Sequence, residues 1–195
     1  MNKRALMFAS YATLGVFLAG PAYAHPGHGE AGLIHGFLHP VTGIDHLLAM
    51  VLVGMIAAQM RGRALYILPT AFMSMMVIGA AIGISGTSLP YFEVGITLSL
   101  IVFGLALAAN VKTGTAVASA LVGGFALFHG YAHGAEMPLS SDAVGYAAGF
   151  VAATALLHLL GILISCTGMR PLKFLPRLVG GASVVIGTML AVGLG

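Results

Sequence analysis

Six apolar stretches, each close to the ~20 residues a helix needs to cross the hydrocarbon of a bilayer, divide the chain. They fall at about 33–60, 64–85, 90–110, 115–134, 142–167 and 175–194, separated by short segments rich in Gly, Pro and polar residues. A shorter apolar run, Ala5 to Leu18, precedes them; it follows Lys3 and Arg4 and ends near the small-x-small triplet Ala22-Tyr23-Ala24. That order of basic, apolar and small residues is that of a cleavable secretory signal. The pattern predicts an all-α membrane protein: signal peptide 1–24, a His-rich mature start 25–32, and a six-helix transmembrane domain 33–195.

The first span departs from the rest. From Leu33 to Met60 it has 28 residues, about 42 Å as one helix, against a hydrocarbon core of about 30 Å. Pro40 carries no N–H and disfavours helix at His39 before it, and Gly43 follows. A kink or break is expected between His39 and Gly43, the kind of interruption around which transporter sites are often built.

Composition agrees with the pattern. The chain of 195 residues is 59% hydrophobic and 7% charged, with mean hydropathy +1.03, where a soluble domain carries about 25% charged residues. The pI of about 9.3 does not point to nucleic acid, because the basic residues form no patch. They mark orientation instead. With the mature N-terminus outside, the inner loops hold Arg61, Arg63, Lys112, Arg170, Lys173 and Arg177, and the outer loops hold only Glu93, Glu136 and Asp142. This bias puts the inner loops in the cytoplasm and both mature ends in the periplasm of a bacterial inner-membrane protein. Cys166 lies in an apolar run, is expected to be a small core residue, and rules out a Cys-rich metal site. No phosphate loop is present, so no ATPase is evident and no enzymatic activity is expected.

Two clusters interrupt this apolar background. His35-Gly36-Phe37-Leu38-His39-Pro40-Val41-Thr42-Gly43-Ile44-Asp45-His46 opens the first span, and His129-Gly130-Tyr131-Ala132-His133-Gly134-Ala135-Glu136 closes the fourth. Ionisable groups at membrane depth cost a few kcal/mol each and face a protein interior or a watery path. Helical spacing puts His35 with His39, and His129 with His133 and Glu136, on common faces. Counting from the inner ends places Asp45 about 22 Å up, His129 about 21 Å and His158 about 15 Å. The expected series descends from His25 and His28, through His35, His39, His133 and Glu136, to Asp45, His46 and His129, and then to His158. Imidazole with carboxylate suits borderline ions such as Ni²⁺, Co²⁺ and Zn²⁺. For Asp45 two roles stay open, ligand or orienting partner of His46. The Gly79/Gly83, Gly123/Gly124 and Gly180/Gly181 pairs are expected in helix packing, and Met73-Ser74-Met75-Met76 in the core.

The motifs His39-Pro40-x-x-Gly43-x-Asp45-His46-x-x-Ala49-Met50 and His129-Gly130-x-Ala132-His133-Gly134-x-Glu136 resemble the two signatures of the HupE/UreJ family of nickel/cobalt permeases. The resemblance covers the whole chain, and its motifs are far more specific than a lone HxxxH. It implies a secondary carrier bringing Ni²⁺ or Co²⁺ into bacteria, often to supply hydrogenase or urease. By resemblance the metal-handling positions are His39, Asp45, His46, His129, His133 and Glu136. The metal would be cargo, with no permanently bound cofactor; the bilayer is the other partner, and a homo-oligomer is compatible with the sequence. Two rivals remain. A membrane haem protein would use His pairs as axial ligands, against which the acidic Asp45 beside His46 weighs. A non-transporting metal-binding, sensing or delivery protein is the other, and the lack of a sizeable soluble domain counts against a signalling role.

Overall fold

The structure, a computed structural model, describes residues 30–138, 142–166 and 174–193. The expected signal peptide, His25, His28, Arg170 and Lys173 lie outside the described residues. Among the described residues all regular structure is helical: α1 (Glu30–Thr42), α2 (Ile44–Met60), α3 (Ala64–Ile84), α4 (Phe92–Ala108), α5 (Thr115–Ala135), α6 (Ala143–Cys166) and α7 (Leu175–Ala191). Of these, α3, α5 and α6 are long and apolar enough to cross a membrane, and α1 with α2 make a fourth crossing if the bent pair is one span. The helices α4 and α7 are apolar and shorter.

The break in the first span falls where Pro40 and Gly43 put it. Pro40 sits inside α1, and Gly43 leaves helical geometry at φ −85° and ψ 115°. The two segments meet at 81°. Past the break, Asp45 stands in the first turn of α2. Its Oδ1 accepts the otherwise orphaned His46 N–H at 2.8 Å, and its charge complements the positive end of the helix dipole.

Every residue of α2 from Ala49 to Ala58 is buried, making it the central helix. The helices α3, α4, α6 and α7 pack around it, while α1 lies along the first half of α6. The core gathers Met50, Leu52, Met55, Leu68, Phe72, Met76, Leu100, Phe103, Leu107 and Phe150. Met76 is buried and Met73 and Met75 are partly so, in keeping with the core role expected of that run. Cys166 departs from expectation: it is exposed at the last residue of α6, not a small core residue, because the apolar run that holds it says nothing of which side meets a neighbour.

The tightest packing joins α3 to α5. A Cβ on Gly130 would fall on the Met76 carbonyl, and one on Gly79 against the Leu127 carbonyl. Small residues allow this backbone approach. Each of the other two glycine pairs divides. Gly123 meets Met75 and Gly180 meets Gly104, whereas nothing approaches Gly124 or Gly181. Gly130→Ala is therefore expected to destabilise the protein by about 1–3 kcal/mol through overpacking, seen as a lower thermal midpoint in detergent. Gly124→Ala should leave that midpoint unchanged.

Candidate metal-handling site

The break between α1 and α2 brings the first cluster against the end of α5 that carries the second. One chain of contacts runs through both. His39 Nε2 lies 3.1 Å from Glu136 Oε2. The His39 ring stands 4.9 Å from His133, His133 stands 4.7 Å from His46, and His46 stands 4.8 Å from His129, all edge-on. His46, His129 and His133 are buried. His46 thus packs on both imidazoles of α5, with Asp45 beside it, while His39 and Glu136 pair next to His133.

Each of two imidazoles in this chain is held by a partner that decides its tautomer. Asp45 Oδ1 lies 3.0 Å from His46 Nδ1. A carboxylate only accepts, so Nδ1 carries a proton, while Nε2 is buried and unpartnered. Ser99 on α4 does the same for His129. Its hydroxyl donates to the Ile96 carbonyl at 2.6 Å. It is thus left to accept from His129 Nε2 at 2.9 Å, which leaves the buried, unpartnered Nδ1 as the free lone pair. Neutral imidazoles with one nitrogen anchored and the other bare are the form in which histidine binds metal. His133 has both nitrogens unpartnered and stacks on Phe150 at 5.0 Å and 6°.

Two adjoining clefts open onto this chain. One, of about 250 Å³, is lined by His39, Thr42, Gly43, Asp45, His46 and Glu136. The other, of about 210 Å³, adds His35, Leu38, Pro138 and Tyr146. Glu136 lies just beyond α5, and its hydrogen bond with His39 holds its carboxyl below the usual range despite opposing burial. A negative group thus stands at the mouth, where a cation would arrive. Among the described residues no three of His, Cys, Asp and Glu form a ready-made metal site; the rings pack against one another, and an ion would have to part them.

Two expected residues stand apart from the chain. His35 is exposed and reaches only the outer of the two clefts. His158 is buried deeper, with both nitrogens unpartnered and its ring 5.2 Å from Phe72. Phe72 also lies 5.7 Å from His129, between the chain and His158. Sequence reasoning missed Ser99, Phe72, Tyr146 and Phe150. Only Ser99 carried a signal, as a lone hydroxyl in an apolar run, and a weak one, because such hydroxyls commonly bond back to their own helix.

A bundle of apolar helices with a chain of imidazoles and carboxylates at one end defines a helical membrane protein. The comparisons are narrower: the profile of the HupE / UreJ protein family matches residues 12–190, and the chain belongs to that family. It is 44% identical over 178 residues, 88% of this chain and 91% of the relative, to Protein HupE of Rhizobium leguminosarum bv. viciae. No solved structure matches. The family is one of metal transporters and their accessory proteins, and the chain is not an enzyme.

Proposed function

We propose that the chain is a six-span permease that imports a divalent transition metal, Ni²⁺ or Co²⁺, across the bacterial inner membrane. The observation that carries this reading is the pair of buried imidazoles, His46 and His129, each anchored on one nitrogen and bare on the other. Neutral imidazole with carboxylate is a donor set for Ni²⁺, Co²⁺ or Zn²⁺. Family membership supports transport over storage.

In this reading 1–24 is a signal peptide, and both ends of the mature chain face the periplasm. His25 and His28 raise the local metal concentration. The ion meets His35, Glu136 and His39, parts the rings of His39 and His133, and sheds water as His46 and His129 take it. Asp45 neutralises part of its charge there. Passage inward then requires Phe72 to move aside before His158. Two charges at about 2.3 kcal/mol per charge per 100 mV amount to about 4.6 kcal/mol, some three decades of accumulation without ATP. Binding is expected to be modest, since a carrier must also release.

Against the haem alternative weighs the carboxylate of Asp45, which lies 3.0 Å from His46 Nδ1 and suits a metal cation. The deciding experiment is radiometal uptake in cells, with Ni²⁺, Co²⁺ and Zn²⁺ in competition. Uptake that Ni²⁺ and Co²⁺ suppress best supports the reading; binding without uptake would make the protein a metal-binding or delivery partner. Reporter fusions should place residues 137–141 outside and 171–175 inside. The reverse topology would undo the order of ligands along the path.

A further inference from the structure

Below the chain of imidazoles, three helices bring together donors of another kind. Thr154 on α6 is fully buried, and its hydroxyl donates to Met50 Sδ on α2 at 3.3 Å and faces Met76 Sδ on α3 at 3.7 Å. Met50 and Met76 are fully buried as well. Thr70, Thr97 and Thr188 instead bond back to carbonyls of their own helices. Thr154 therefore orients two thioethers from two other helices towards one point.

A second layer lies about one turn away on the same three helices, about 6 Å along each. Gly54 follows Met50, His158 follows Thr154, and Phe72 precedes Met76, each by four residues. A Cβ on Gly54 would strike the His158 carbonyl, and Phe72 flanks the His158 ring at 5.2 Å. Helical side chains lean towards the N-terminus of their helix. Since α6 starts at the His-rich end and α3 at the opposite one, His158 leans back towards the sulfur layer and Met76 leans towards His158. His158 is 2% exposed, and neither of its nitrogens has a partner. Packing alone accounts for the methionines; it does not account for an imidazole desolvated on both nitrogens one turn further along α6.

We propose that Met50, Met76 and His158 form a second metal site, for a soft monovalent cation, Cu⁺ or Ag⁺. Thioethers select soft ions, and no carboxylate is among these donors to favour a dication. The site is distinct from the chain of imidazoles in its donors and in its depth. It stands whether or not the protein transports nickel or cobalt.

The test is Ag⁺ binding to the purified full chain in chloride-free buffer, carrying Cys166→Ser throughout because the exposed thiol would capture silver itself. Equilibrium titration counts bound ions, and X-ray absorption at the silver edge reports their neighbours. Silver with thioether neighbours is expected. Met50→Leu/Met76→Leu keeps side-chain volume and should lose one equivalent of silver together with the sulfur neighbours. Met73→Leu/Met75→Leu should keep both. His158→Ala should keep the sulfur neighbours and bind more weakly. Silver that sees only nitrogen and oxygen overturns the site, as does unchanged stoichiometry in Met50→Leu/Met76→Leu. If that double variant does not fold, Met50→Leu and Met76→Leu are read singly: each should lose one sulfur neighbour from the silver spectrum, and an unchanged sulfur count in both overturns the site. Uptake is not read, so failure of the transport reading would leave this result untouched.

Discussion

Asp45→Asn is expected to reduce metal uptake to background, at least about 100-fold, in a protein that still inserts and folds. Asp45 is bound to His46 twice, through the backbone N–H at 2.8 Å and the ring Nδ1 at 3.0 Å. Removal of a carboxylate that orients a metal-binding histidine costs about 10–100-fold by itself. Here the same change removes a negative charge next to a dication in a medium of low dielectric, where each charge counts for more than in water. Asparagine presents an amide that can donate as well as a carbonyl that accepts, so the proton is no longer held on Nδ1 alone. Asparagine keeps the size, so packing should survive, which membrane fractionation and a thermal melt would verify. His46→Ala should reach a similar floor, and the double variant should lose little more, because one unit has been removed twice. Normal uptake by Asp45→Asn would shift the central role to His39, His133 and Glu136.

The second large effect is at His129. His129→Ala removes a fully buried imidazole whose Nδ1 has no partner but the space it shares with His46, and uptake should again fall to background. Ser99→Ala separates position from presence. It leaves the ring in place and removes the acceptor for Nε2–H, so the two tautomers compete for one site. A loss of about 10–100-fold in apparent metal affinity is expected, the size usual for partners of metal-binding histidines, with maximal rate less affected. Ser99→Thr, which restores the hydroxyl, should recover most of it. The measurement is initial uptake rate against metal concentration for the four proteins. Equal collapse of rate and affinity in Ser99→Ala would mean that the hydroxyl braces α4 against α5 instead of setting the tautomer. His158→Ala, deeper and outside the chain, should cost less than either.

Much of this site was legible from one dimension. The break at Pro40 and Gly43 follows from a missing N–H and a span too long for the hydrocarbon. Rise per residue put Asp45, His46 and His129 near one another, and in the structure His46 touches both Asp45 and His129. The Gly130 approach to Met76 was legible only as a class of residue, since glycine spacing names packing but not the partner. For Asp45 the residues alone left two roles open; the structure shows it holding His46 Nδ1.

The sequence by itself determined which segments are apolar helices, where the first one breaks, and which residues are too costly to face lipid. Those properties follow from bond geometry and from transfer between water and hydrocarbon, and both are local. Only the tertiary structure decided that α2 is the helix at the centre, that Ser99 sits under His129, that Thr154 gathers Met50 and Met76, and that Cys166 stands outside. The physical reason is that lipid and protein core ask for the same apolar surface. A helix uniformly apolar round its circumference does not say which side meets a neighbour, and in this chain that choice was left to close backbone contact and to the few hydrogen bonds made between helices.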